Sequence, residues 1–185
     1  MGLVGAIVLV IGAGLLVWFI GAYNGLVRKR QEVRNAWSQI DVQLKRRHDL
    51  IPNLVEAVKG YFAHERQTLE NVIKARTQAV NATGLKDKAD AENFLTQTLR
   101  SLFAVAERYP ELRANQNVLA LQEELTSTEN RISFARQFYS DQAMRLNTAI
   151  EMVPTNVVAG LTGFQKAEFF EIEDPAHREA PPVRF

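Results

Sequence analysis

The chain has 185 residues, enough for one domain and an accessory segment. Lys and Arg number 22 against 21 Asp and Glu, a net +1, so bulk charge gives no argument for nucleic acid or an acidic substrate. There is no Cys, which excludes disulfides, thiolate catalysis and Cys-ligated zinc or iron–sulfur clusters.

The first element is an apolar run, Leu3 to Ala22, LVGAIVLVIGAGLLVWFIGA, without a charged side chain. About 20 apolar residues cross the ~30 Å hydrocarbon core as a helix. Trp18 and Tyr23 sit near its end, where amphipathic rings favour the interface. A cleavable signal peptide needs a basic region first, and only Met1 and Gly2 precede the run. We therefore expect a transmembrane anchor over 1–27. Arg28, Lys29, Arg30 and Arg34 follow it. The positive-inside rule then puts the N-terminus outside and the rest in the cytoplasm of a single-pass protein. Gly14, Gly21 and Gly25 lie on the span and its end, and Gly21-Ala-Tyr-Asn-Gly25 is a small-xxx-small pattern that lets helices approach. The competing reading is that Gly is common in such helices.

The next element is an amphipathic helix with the stripe Val33, Trp37, Ile40, Leu44, Ile51, Val55, Val58, Phe62, Leu69, Val72. Gly25 is the only plausible break between this helix and the span, so the two are expected to form one rod. The helix is expected to continue to Val80-Asn-Ala-Thr-Gly84, with Gly84 as a left-handed C-cap. A second helix opens near Asp87 or Asp90, with Phe94, Leu95, Leu99, Leu102, Phe103 and Ala106 inward, and Tyr109-Pro110 ends it. A third runs from about Ala114 to Met152, with a stripe from Val118 through Leu125, Thr128, Ile132 and Tyr139 to Ile150. Nothing alternates with period two. The expectation is all-α: an antiparallel bundle of three long helices over 28–170, with a short helix within Thr155 to Phe170. Residues 171–185 are expected to form an acidic, Pro-containing extended tail.

Two features of the stretch 36–61 raise a functional question. The cluster Lys45-Arg46-Arg47-His48, with Asp49, reads either as a partner or lipid surface or as the solvated side of the helix. Arg46 lies about 27 Å beyond Arg28 on a straight helix, too far for direct headgroup contact, which favours the solvated side. Pro52 either kinks one continuous helix or stands in the first turn of a new one capped by Asp49. The unbroken apolar phase favours a kink, with Asn53 bridging the carbonyl that Pro52 leaves free.

No catalytic, cofactor or metal site emerges. The residues three before His48, His64 and His177 are Lys45, Tyr61 and Asp174, so there is no Glu-x-x-His. There is also no His-Glu-x-x-His and no phosphate loop. Glu123-Glu124 point roughly 100° apart on a helix and read as a solvated face.

The stretch YNGLVRKRQEVRNAWSQIDVQLKRRHDLIPNLVEAVKGYFAHE, with MVPTNVVAGLTGFQKAEFFE and the final PPVRF, resembles LemA-family proteins over nearly the whole chain. The resemblance implies a bacterial-type membrane protein with a helical cytoplasmic domain. Some members of that family resemble components of magnetosome membranes, and others are encoded near a membrane metalloprotease. The resemblance supplies no catalytic residue. The expected function is a non-catalytic membrane-anchored scaffold, a homo-oligomer on the lipid bilayer, with Phe164, Phe169 and Phe170 as subunit contacts. The alternative is an adaptor or regulator of a membrane enzyme. Nucleic acid is not an expected partner.

Overall fold

The computed structural model describes residues 2–62 and 64–170. Among them all regular structure is helical. The helices are α1 (Gly2–Lys59), α2 (Arg66–Asn81), α3 (Leu85–Ala106), α4 (Pro110–Ala114), α5 (Gln116–Glu151) and α6 (Thr155–Thr162). The chain forms two compact units: residues 2–41 with Phe134–Phe169, and Val42–Ser133 with the end of the described chain at Phe170.

As expected, α1 runs unbroken through Gly25 and keeps Pro52 inside it. It does not continue to Gly84. Gly60 follows its last residue, and the amides of Tyr61 and Phe62 both bond the Val58 carbonyl, at 3.0 and 3.1 Å. Gly weakens a helix by roughly 1 kcal/mol, and here it gives the chain a place to turn. The three-and-four spacing survives because α2 buries Leu69 and Val72 in its own right. Gly84 does take a positive φ, of 90°, but its ψ of 156° is not left-handed helical. It stands at the N-terminus of α3, while the extended Ala82 ends α2. Neither Asp87 nor Asp90 caps α3, although Asp87 lies in its first turn. Pro110 opens α4 at a position where its missing N–H costs nothing.

In the first unit, Val33, Ala36 and Ile40 of α1 and Ala143 and Leu146 of α5 are buried. Trp37 and Tyr139 meet edge to face, with centroids 5.8 Å apart. The α6 residues Val158 and Ala159 form a small cluster with Leu26, and Phe19, Ala22 and Phe164 pack against it. Gly163 ends α6 at φ 70°, the left-handed region that suits Gly, and the Phe164 amide bonds the Ala159 carbonyl. The segment beyond is tied down by α5. Asn147 exchanges two bonds with the Ala167 backbone, at 2.9 and 2.8 Å, and the Tyr139 hydroxyl donates to the Glu168 carbonyl at 2.9 Å.

The second unit packs Ile51, Leu54 and Val58 of α1 with Val72 and Ala75 of α2, Leu95 and Leu102 of α3, and Leu125 of α5. Phe62 is buried against Tyr109, with ring centroids 5.1 Å apart. Phe94, expected on the inner stripe of α3, is exposed. The inner position is taken by Glu92, one turn before Leu95 and two before Leu99.

A buried polar cluster as candidate functional site

The basic cluster of α1 is not one wet face. Lys45, Arg46 and Asp49 are exposed, but Arg47 and His48 are buried. The apolar steps explain this. Ile40, Leu44, Ile51, Leu54 and Val58 leave one gap in the stripe, and Arg47 fills it, three residues after Leu44 and four before Ile51. Glu92 holds the same position on α3, three residues before Leu95. Both side chains are 0% exposed and form an ion pair.

Arg47 distributes its donors over two helices. Its Nη2 bonds the Glu92 carboxylate and lies 3.4 Å from the Glu92 carbonyl oxygen. Its Nη1 bonds the Glu129 carboxylate of α5 and, at 2.8 Å, the Thr96 hydroxyl. Thr96 in turn lies 3.1 Å from both the Glu92 carbonyl and Glu129 Oε1. His48 Nε2 lies 2.8 Å from the second Glu92 oxygen, Oε1, within hydrogen-bonding reach. Burial raises the Glu92 carboxyl pKa, but the hydrogen bond from His48 and the charges of Arg47 and His48 outweigh it. The net effect holds the carboxyl below the usual carboxylate range.

The chain's answer to Pro52 lies beside this cluster. An uninterrupted helix would bond the residue-52 amide to the His48 carbonyl, and Pro has no N–H. Asn53 was expected to bridge that oxygen. Instead Arg76 of α2 donates its Nε to it at 2.7 Å. On the surface nearby, Arg46 pairs with Glu124 at 2.6 Å, so Glu124 is not simply a solvated acid.

This arrangement positions charge rather than presenting it to a substrate. Two carboxylates converge on one guanidinium, which pairs with both. A cavity of about 470 Å³ lies between the end of α3, α4 and the start of α5, lined by Phe103, Leu112, Val118 and Leu119 with Glu107 and Gln122. No cluster residue lines it. Among the described residues no group of three His, Asp or Glu is placed to hold a metal ion.

The other expected sites are placed as follows. Gly14, Gly21 and Gly25 have no atom within 4 Å of where a Cβ would stand. Phe169 is exposed, Phe164 is half-buried against Tyr23, and Phe170, expected exposed, is buried. Residues 171–185, with His177, lie outside the described residues. Glu92, Thr96, Glu129 and Arg76 were not anticipated. Their signal was a polar residue in phase with an apolar stripe, and it was present for Arg47 and Glu92.

A family model for LemA matches residues 36–185. The chain belongs to the LemA family. It is 27% identical over 180 residues to magnetosome protein MamQ 2 of Paramagnetospirillum magneticum, covering 83% of this chain and 66% of that protein. It is 26% identical over 180 residues to magnetosome protein MamQ of Magnetospirillum gryphiswaldense, with the same coverage. Against protein LemA of Metamycoplasma hominis the identity is 26% over 155 residues, covering 83% and 68%. This chain thus spans about two thirds of the length of the MamQ relatives. Among the described residues its regular structure is helical, and α1 is long and apolar enough to cross a membrane. Its most apolar window has a mean hydropathy of 2.8, and none of that window is buried. It is a membrane-associated helical protein.

Proposed function

We propose that this LemA-family protein is a non-catalytic, membrane-anchored scaffold that self-associates and organises the membrane or the proteins in it. One observation carries this reading. The uncharged stretch Leu3 to Ala22 is exposed along almost its whole length, yet it belongs to the same unbroken helix that supplies core residues to the folded part. Such a surface needs lipid or a copy of itself around it. The buried ion-pair cluster fits a structural part, since the Arg47 guanidinium is paired with both Glu92 and Glu129 within the fold. The likeness to magnetosome proteins names no reaction.

The test is the size of the full chain extracted in mild detergent, read by light scattering. A scaffold gives a defined oligomer that persists on dilution. A monomer at cellular concentration removes this reading.

A second reading, an adaptor for a membrane enzyme, draws on Phe134 and Phe138. They are exposed one turn apart on α5 and form an apolar patch available to a partner. Crosslinking in native membranes distinguishes it: an adaptor yields one stoichiometric partner, and a scaffold yields contacts between copies.

A further inference from the structure

The helix α6 has an outward face that its own fold does not use. Val158 and Ala159 point inward onto α1, while Val157 and Leu161 are 57% and 75% exposed. At about 100° per residue, Val157 and Leu161 stand some 40° apart, on one side of the helix. From Met152 to Gln165 the sequence MVPTNVVAGLTGFQ contains no charged side chain. The flanking charges, Glu151 and Lys166, pair with each other.

The position of α6 says what covers that face. Its inner side rests on Leu26, with Phe19 and Ala22 packed alongside, all on α1. Ala22 ends the uncharged apolar stretch, and Leu26 lies about 6 Å further along the helix. A bilayer's headgroup layer is roughly 5–8 Å thick on each side of the hydrocarbon core. The contact therefore falls at the edge of the hydrocarbon. The residues around it suit that level. The Arg30 guanidinium sits 4.9 Å over the Phe164 ring, Tyr23 meets the same ring edge-on, and Arg28 and Lys29 are close by in sequence.

We propose that α6 is an interfacial helix, with its Val157–Leu161 face lying in the boundary between headgroups and acyl chains of the bilayer that α1 crosses. Amphipathic helices that lie in the plane of the interface bury their apolar face roughly 5–10 Å into this boundary. The occupant is lipid rather than a second copy, because the face adjoins the apolar stretch of α1 and shares its lack of charge. In this arrangement α6 fixes the depth of α1 and holds the emerging helix at a set level. The inference rests on the reading that Leu3 to Ala22 spans the membrane.

The absence of Cys makes the test clean. Single substitutions Val10→Cys, Leu161→Cys and Ser38→Cys in the full chain all fall at exposed positions. Each is labelled with an environment-sensitive fluorophore and reconstituted in phosphatidylcholine–phosphatidylglycerol vesicles. The lipids carry a nitroxide quencher either just below the headgroup or deep in the chain. The label at 161 is expected to be blue-shifted and to lose most emission to the shallow quencher. The label at 10 loses most to the deep quencher, and the label at 38, about 24 Å past Ala22 along α1, keeps its emission with both. If the label at 161 matches that at 38 while the label at 10 is quenched, the interfacial role is overturned and the span stands. Disulfide-linked dimers of the unlabelled Leu161→Cys variant, with no lipid quenching of the labelled one, overturn it in favour of a second copy. If the label at 10 is not quenched, the span reading fails and the inference fails with it.

Discussion

Arg76 donates its side-chain Nε to the backbone carbonyl of His48, which Pro52 leaves without a helical donor, at 2.7 Å. A side chain from α2 thereby completes a hydrogen bond of α1. A buried carbonyl left unbonded costs about 1–3 kcal/mol. Arg76→Met is expected to destabilise the protein by that order. In a Pro52→Ala background the new amide can serve the same carbonyl, so the loss shrinks by about 1 kcal/mol. Urea denaturation of the four proteins in the cycle measures the coupling. Strict additivity would mean that Arg76 does not compensate for the proline.

The Arg47–Glu92 pair gives a second cycle. Removing one member of a buried pair strands the other's charge, which typically costs about 3–5 kcal/mol. Arg47→Met and Glu92→Met are each expected to fall in that range. The double variant should be much less damaged than their sum, because two apolar side chains of similar volume can fill the stripe. Glu129, 39% exposed, still has water when Arg47 is gone, so Glu129→Gln should cost about 1 kcal/mol or less.

Glu92 also predicts an acid dependence. Its folded pKa is lowered, so near and below the ordinary value of 4.5 the unfolded chain takes up the proton first. The pair's contribution is complete above that value and declines as pH falls through the lowered folded one. Stability measured at descending pH should drop in this window for the native chain. The drop should be shallower for Glu92→Gln, whose overall stability is already reduced. Parallel curves would show that Glu92 does not couple folding to protons.

How much of this was legible depended on whether a residue's partners lie along the chain or across it. The stripe from Val118 to Ile150 predicted the inward face of α5 because helical periodicity is a local property, and Val118, Leu125, Ile132 and Tyr139 are indeed buried. The break at Gly60 was missed because α2 resumes the same spacing, so periodicity carried no mark of the turn. The cluster was half legible. Arg47 stands in phase with Leu44 and Ile51, which signals burial, but the charged neighbours Lys45 and Arg46 suggested a wet face. That Glu92, Thr96 and Glu129 meet it is a matter of helix packing, and no spacing within one helix encodes it. The Arg76 bond was illegible for the same reason: Pro52 announces a missing donor, and only the fold chooses the substitute.

Tyr139 predicts an alkaline effect of opposite sign. Burial, and then the charge of Glu168, raise its pKa above the ordinary 10.0. The folded state therefore keeps the phenol proton longer than the unfolded chain does. Its contribution is complete below pH 10 and is lost as pH rises through the higher folded value. Tyr139→Phe removes the bond to the Glu168 carbonyl and should cost about 0.5–1.5 kcal/mol at neutral pH. It should also flatten the alkaline decline. Amide exchange should rise around Ala167 and Glu168, where this bond helps to hold the segment onto α5. Unchanged exchange there would show that Asn147 suffices alone.

The glycines of the apolar stretch separate folding from association. Gly14 and Gly21 are exposed, and a Cβ at either would meet nothing within 4 Å in a single chain. Gly14→Ile and Gly21→Ile are therefore expected to leave the helical content and the urea stability of the folded part unchanged. If copies pack through this face, close backbone approach needs the small residues. Each bulky side chain should then weaken association by about tenfold or more, near 1.4 kcal/mol, in dilution series of the detergent-extracted protein. A substitution at an exposed control position such as Leu9→Ile should have no such effect. Equal association across all three variants would move the contact between copies away from Gly14 and Gly21 and onto another surface of the chain.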